Sequence, residues 1–122
     1  MSTTEHGPLT FGVSLPFFDH QLDYPFVLEF ATTAQELGFD GLWASDHIVT
    51  GPFETRTWYD VTTLLAGLAP VVPRMTLGTD VVIVPFRHPL GTAKSLVTLD
   101  VASGGRLIIG VGVGNKIGRA HV

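Results

Sequence analysis

The stretch Gly41-Leu42-Trp43-Ala44-Ser45-Asp46-His47 runs through four small or apolar residues and stops at once against a polar trio. Such a short apolar run reads as a buried strand, and the polar trio then sits at its carboxyl end. Upstream, residues 24–37 carry Phe26, Val27, Phe30, Ala31, Ala34 and Leu37 at helical spacing, and Gly38 follows where a helix C-cap favours a left-handed residue. Further upstream, residues 9–15 form another apolar run, closed by Pro16, which cannot continue a ladder. Downstream, residues 59–69 predict a second helix, with Asp60 near its start and Pro70 and Pro73 beyond its end. Residues 75–84, closed by Pro85, predict a third strand. Ala93, Leu96, Val97 and Val101 set a third helix over residues 90–101, ended by Gly104-Gly105, and residues 107–113 read as a fourth strand.

Strand and helix therefore alternate from end to end, and the strands are apolar on both faces, as in parallel sheets covered by helices. The expected class is α/β. Four strands and three helices approach half of a (β/α)8 barrel, which usually takes roughly 250 residues. The 122 residues leave no room for a second domain.

Composition narrows the function. Hydrophobic residues make up 45% and charged residues 15% of the chain, which is ample for a packed core. Seven Lys and Arg against eleven Asp and Glu give a net charge of −4, with the basic residues scattered, so no nucleic-acid surface is expected. The absence of cysteine excludes disulfides, thiolate metal sites and a cysteine nucleophile. No signal peptide or membrane span is legible, and the chain reads as cytoplasmic.

Residues 41–47, Leu77-Gly78-Thr79-Asp80-Val81, Pro85-Phe86-Arg87-His88-Pro89, Leu99-Asp100 and residues 103–114, in that order, resemble the luciferase-like monooxygenase family. The resemblance runs from the first strand to Gly114 and is closest to the branch that uses the deazaflavin coenzyme F420 in place of FMN. It implies the N-terminal half of a bacterial-luciferase-like TIM barrel over residues 1–115, a small-molecule organic substrate and, at full length, a homodimer. Residues 116–122 depart from the family's continuation. Ile-Gly-Arg-Ala-His-Val followed by a stop is what a common sequencing adapter encodes in one frame, so this stretch is expected to be a non-native tail.

Active sites of barrels are built at the carboxyl ends of the strands, where Asp46 and His47 lie. A histidine there can exchange a proton near neutral pH, and a neighbouring carboxylate can fix its environment. The resemblance implies that His47 lies by the cofactor ring as the catalytic residue and that Asp46 contacts the cofactor; a capping Asp46 and a loop-packed His47 is the alternative. It also places a non-prolyl cis peptide and a supporting bulge at Asp80-Val81, where an ordinary strand with one polar residue is the other reading. Gly110, Gly112 and Gly114 permit close backbone approach to a planar ring or a phosphate, and with the resemblance Gly112 and Gly114 join Asp46, Asp80 and Val81 as cofactor contacts; relief of crowding where strands splay at the barrel rim is the other reading. The glycine spacing is not the dinucleotide fingerprint.

No metal site is expected, since the first strand ends in Leu15-Pro16 without the second histidine a hydrolase needs. Arg87 and His88 either meet an anionic group or close a helix N-terminus. Asp100 and Arg106 are read as an ion pair, and Trp58 and Tyr59 as packing on the outer helices or covering a ring. For the full-length protein the resemblance implies a deazaflavin- or FMN-dependent oxidoreductase or monooxygenase, of which this chain is a fragment. A non-catalytic, flavin-binding half-barrel or an inactive fragment is the alternative.

Overall fold

A computed structural model describes residues 7–16, 23–47 and 58–114; the tail at 116–122 lies outside them. The elements are β1 (Gly12–Ser14), α1 (Tyr24–Glu36), β2 (Gly41–Ala44), α2 (Val61–Leu68), β3 (Thr76–Ile83), a 3-10 turn (Val84–Phe86), α3 (Pro89–Ala102) and β4 (Leu107–Gly112).

Each helix is bounded by side-chain chemistry. The Asp23 carboxylate accepts from the Phe26 amide at 2.9 Å to start α1. The helix ends with Gly38 at φ +91, where the amides of Gly38 and Phe39 donate back to Gln35 and Ala34. Gly104, at φ +72, ends α3 in the same way, with the amides of Gly104 and Gly105 reaching Val101 and Asp100. Asp60 caps α2 and His88 caps α3.

The four strands are parallel and lie in chain order, β1-β2-β3-β4. Right-handed crossovers in an order that never reverses put every helix on the same face, which is one wall of a (β/α)8 barrel and not a doubly wound sheet. The core forms on that face, where Val27 and Ala31, Leu64, Leu65 and Leu68, and Leu96 and Leu99 pack on Leu42, Ala44, Leu77 and Val82. On the opposite face the Trp43 indole lies over both neighbouring strands, filling the space that a Cβ at Gly12 or Gly78 would occupy.

Several expectations are corrected. β1 is shorter than residues 9–15, and Leu9 and Phe11 are exposed, because it is an outer strand paired only with the four residues of β2. β4 is not covered on both faces: Ile108, Ile109 and Val111 are each 45% exposed or more, since β4 is the other outer strand. Val84 leaves the third strand for the 3-10 turn. Arg106 does not pair with Asp100. Its guanidinium donates instead to the carbonyls of Ala69, Val72, Met75 and Ser103 at 2.6–2.7 Å, tying the ends of α2 and α3 to the start of β4.

Candidate active site

The carboxyl ends of β2 and β3 are joined by one buried carboxylate. Asp46, two residues past β2, accepts from the Ile83 amide at 3.0 Å and from Arg87 at both Nε (3.2 Å) and Nη2 (2.7 Å), with no side-chain exposure. A buried carboxylate needs this degree of satisfaction, and the planar guanidinium supplies it through two donors at once. The third donor, Arg87 Nη1, reaches Asp60 at 3.3 Å. Arg87 is thus committed to two carboxylates, and of the pair it is His88 that closes the helix, its Nδ1 accepting from the Leu90 amide at 3.2 Å.

Asp60 itself collects the first turn of α2, accepting from the Thr63 amide (3.0 Å), the Thr63 hydroxyl (2.7 Å) and the Thr62 hydroxyl (2.9 Å). Burial acts to raise its pKa, but the bonds from Thr63, Thr62 and Arg87 outweigh it and hold the carboxyl at about 2. Burial acts against the Arg87 charge too, and Asp46 and Asp60 more than compensate, so its pKa is raised.

His47 follows Asp46 and is half-buried. Its imidazole lies 4.1 Å from the Trp58 indole, centroid to centroid, at an interplanar angle of 46°. Trp58 and Tyr59 both pack against the core, in keeping with the packing role read for them. Trp58 also lies against His47, while Tyr59 packs edge-on against Tyr24 of α1 at 6.5 Å.

On β3 the Asp80–Val81 peptide is cis, and the register with β4 shifts between Thr79 and Val82. Two residues there face the single Gly110, which is a β-bulge. Gly110 is paired instead by the Thr79 hydroxyl, which donates to its carbonyl and accepts from its amide, each at 2.9 Å. Asp80 is exposed and Val81 half-buried. The Val81 methyls occupy the space a Cβ on Gly112 would need, and Ile83 lies beside Gly114 in the same way. The alternating glycines thus let β3 side chains lie across β4.

Asp46 and His47 meet Arg87 and Trp58 here, and Val81 meets Gly112. Thr79, Asp60 and the bridging role of Arg87 escape a sequence reading, although the capping position of Asp60, two residues after Trp58, marks where that bridge lands. Among the described residues no cluster of three or more His, Asp or Glu could hold a metal ion, and no helix is long and apolar enough to cross a membrane.

In kind, the residues present would suit a planar, partly polar ring: Val81 offers an apolar side chain and Asp80 an exposed carboxylate within β3, and His47 an imidazole past the end of the adjacent β2. Comparisons with known proteins give the family. An F420-dependent glucose-6-phosphate dehydrogenase of Amycolatopsis mediterranei is 31% identical over 97 residues, 79% of this chain and 29% of that protein. The solved coenzyme F420-dependent tetrahydromethanopterin reductase of Methanopyrus kandleri superposes with a TM-score of 0.72 at 30% identity, covering 90% of this chain and 28% of that one. The oxygenating constituent of 3,6-diketocamphane monooxygenase from Pseudomonas putida, solved with FMN, shares the fold at a TM-score of 0.74 and 18% identity, over 88% of this chain and 30% of its own. The chain thus spans under a third of the length of these relatives. Residues 9–117 match the luciferase-like monooxygenase family as a whole, and the chain belongs to that family, as part of its N-terminal barrel half.

Proposed function

We propose that this chain supplies the first part of the active site of an F420-dependent oxidoreductase acting on a small organic substrate, with His47 as its catalytic residue. The observation that carries the reading is the seating of His47. Its ring is half-buried at the carboxyl end of β2, packed on Trp58 and preceded by a carboxylate fixed from two sides. A histidine so confined, yet partly open, suits a group that holds or releases a proton at a ring nitrogen. When bound, the deazaflavin supplies hydride transfer.

The chain's own residues bind and orient. Val81 offers apolar surface on which a planar ring can rest, and Gly112 and Gly114 continue that wall beneath the side chains of Val81 and Ile83. Asp80 presents an exposed carboxylate that can accept an N–H or O–H. Asp46 serves through its place: with its oxygens taken by Arg87 and the Ile83 amide, it fixes the end of β2 from which His47 projects. The choice of F420 over FMN rests on the relatives at 31% and 30% identity, both of them F420 enzymes by name, whereas the FMN-bound structure shares the fold alone.

The test uses the protein that carries this chain. Its affinities for F420 and FMN, measured by cofactor fluorescence, are expected to favour F420. His47→Ala is expected to keep that affinity while turnover falls by roughly 100-fold or more, the usual contribution of a general acid or base. Tighter binding of FMN would overturn the cofactor assignment, and wild-type turnover in His47→Ala would overturn the role of His47.

A further inference from the structure

Arg87 touches both segments whose rings meet at His47. Through Nε and Nη2 it grips Asp46, the residue immediately before His47. Through Nη1 it reaches Asp60, two residues beyond Trp58. One planar guanidinium, on a side chain 17% exposed, therefore links the end of β2 to the start of α2, and the tilted His47–Trp58 contact joins the residue after one anchor to the residue two before the other. Arg87 itself follows the turn after β3, so the ends of two strands and one helix converge on it.

We infer that Arg87 is a positioning residue: by bridging Asp46 and Asp60 it holds the His47 imidazole against Trp58 in the orientation that turnover requires. The inference rests on the proposed catalytic role of His47. The geometry also predicts which replacements fail. Lysine keeps the charge but offers one compact ammonium where the site uses a fork to two carboxylates. Methionine keeps much of the length and removes the charge, stranding the buried Asp46 carboxylate.

Two readouts on the protein that carries this chain test the inference. The first is independent of catalysis: at 4.1 Å from an indole, the His47 ring protons experience the Trp58 ring current, and Trp58→Leu defines their NMR shifts without it. In Arg87→Lys that displacement is expected to shrink, and kcat to fall by roughly 10- to 100-fold with KM little changed, the scale of effect of an ångström-sized misplacement. Where Arg87→Met fails to fold, the double variant Asp46→Asn/Arg87→Met removes both charges together and is expected to fold with the displacement lost. Asp60→Asn, which retains a capping side chain, is expected to shrink it from the α2 side.

A displacement at its wild-type value in Arg87→Lys and the double variant would overturn the inference, as would unchanged kcat once the displacement is gone. His47→Ala separates the two claims. Full turnover in that variant sinks the catalytic reading, whatever the ring protons report about Arg87.

Discussion

Thr79 shows how one side chain satisfies the backbone at an irregularity in the sheet. The bulge at Asp80–Val81 sets two residues of β3 against Gly110, and the buried Thr79 hydroxyl bonds both the amide and the carbonyl of that glycine. Thr79→Val keeps the β-branched shape and leaves a donor and an acceptor unpaired in a partly buried setting. We expect a loss of about 1–3 kcal/mol, measured by urea denaturation. A variant as stable as wild type would mean that water satisfies Gly110 equally well. Glycine works in the opposite sense nearby: Gly12 and Gly78 are empty so that Trp43 can lie across three strands.

Among the elements, α2 depends on its first turn. It has only eight residues, too few to persist by propensity, and Asp60 binds Thr62, Thr63 and Arg87 at its start. Asp60→Ala is expected to cost about 1 kcal/mol, the usual worth of an N-cap, and Asp60→Asn less. The pH dependence follows from the lowered pKa of about 2 against an ordinary 3.8. The folded state favours the ionised form, so the charge-dependent stabilisation is fully present above pH 4 and is lost as the pH falls through about 2. The stability difference between wild type and Asp60→Asn should therefore be flat from pH 7 to 4 and shrink on further acidification. A difference that grew on acidification would contradict the charge-assisted bonding.

For the whole molecule, the two ends of the sheet carry different duties. The carboxyl ends hold Asp46, His47 and Arg87, while the opposite end is closed by Arg106, whose guanidinium takes carbonyls from the chain after α2 and the end of α3. Because the fork reaches four carbonyls at once, Arg106→Lys is expected to lose about 2–3 kcal/mol in urea denaturation without altering the His47 ring-proton shifts. A shift of those protons would mean that the two ends are coupled. The outer strands meanwhile leave apolar surface uncovered: β4 exposes Ile108 and Val111, and an open groove of about 330 Å³ beside β1 is lined by Val13, Phe26, Phe30 and Phe39. In a closed barrel both edges pair, and such surface becomes interior.

The sequence by itself determined the alternation of strand and helix, because hydrophobic spacing, prolines and capping residues act within a few positions of one another. Thus β2 falls on residues 41–44 as read, Gly38 and Gly104 end their helices, and Asp46 and His47 lie past the carboxyl end of a strand. The family resemblance carried the cis bond at Asp80–Val81, which no local pattern reveals. Only the tertiary structure decided what Asp46, Arg87 and Arg106 bind, since their partners lie 27–41 residues away apart from Ser103 beside Arg106. The sequence suggested Asp100 for Arg106 and, for Arg87, either an external anion or a helix N-terminus. The folded chain instead offered Arg106 four backbone carbonyls and Arg87 two carboxylates, one of them fully buried, and a buried carboxylate or carbonyl without a donor costs more than an exposed ion pair returns.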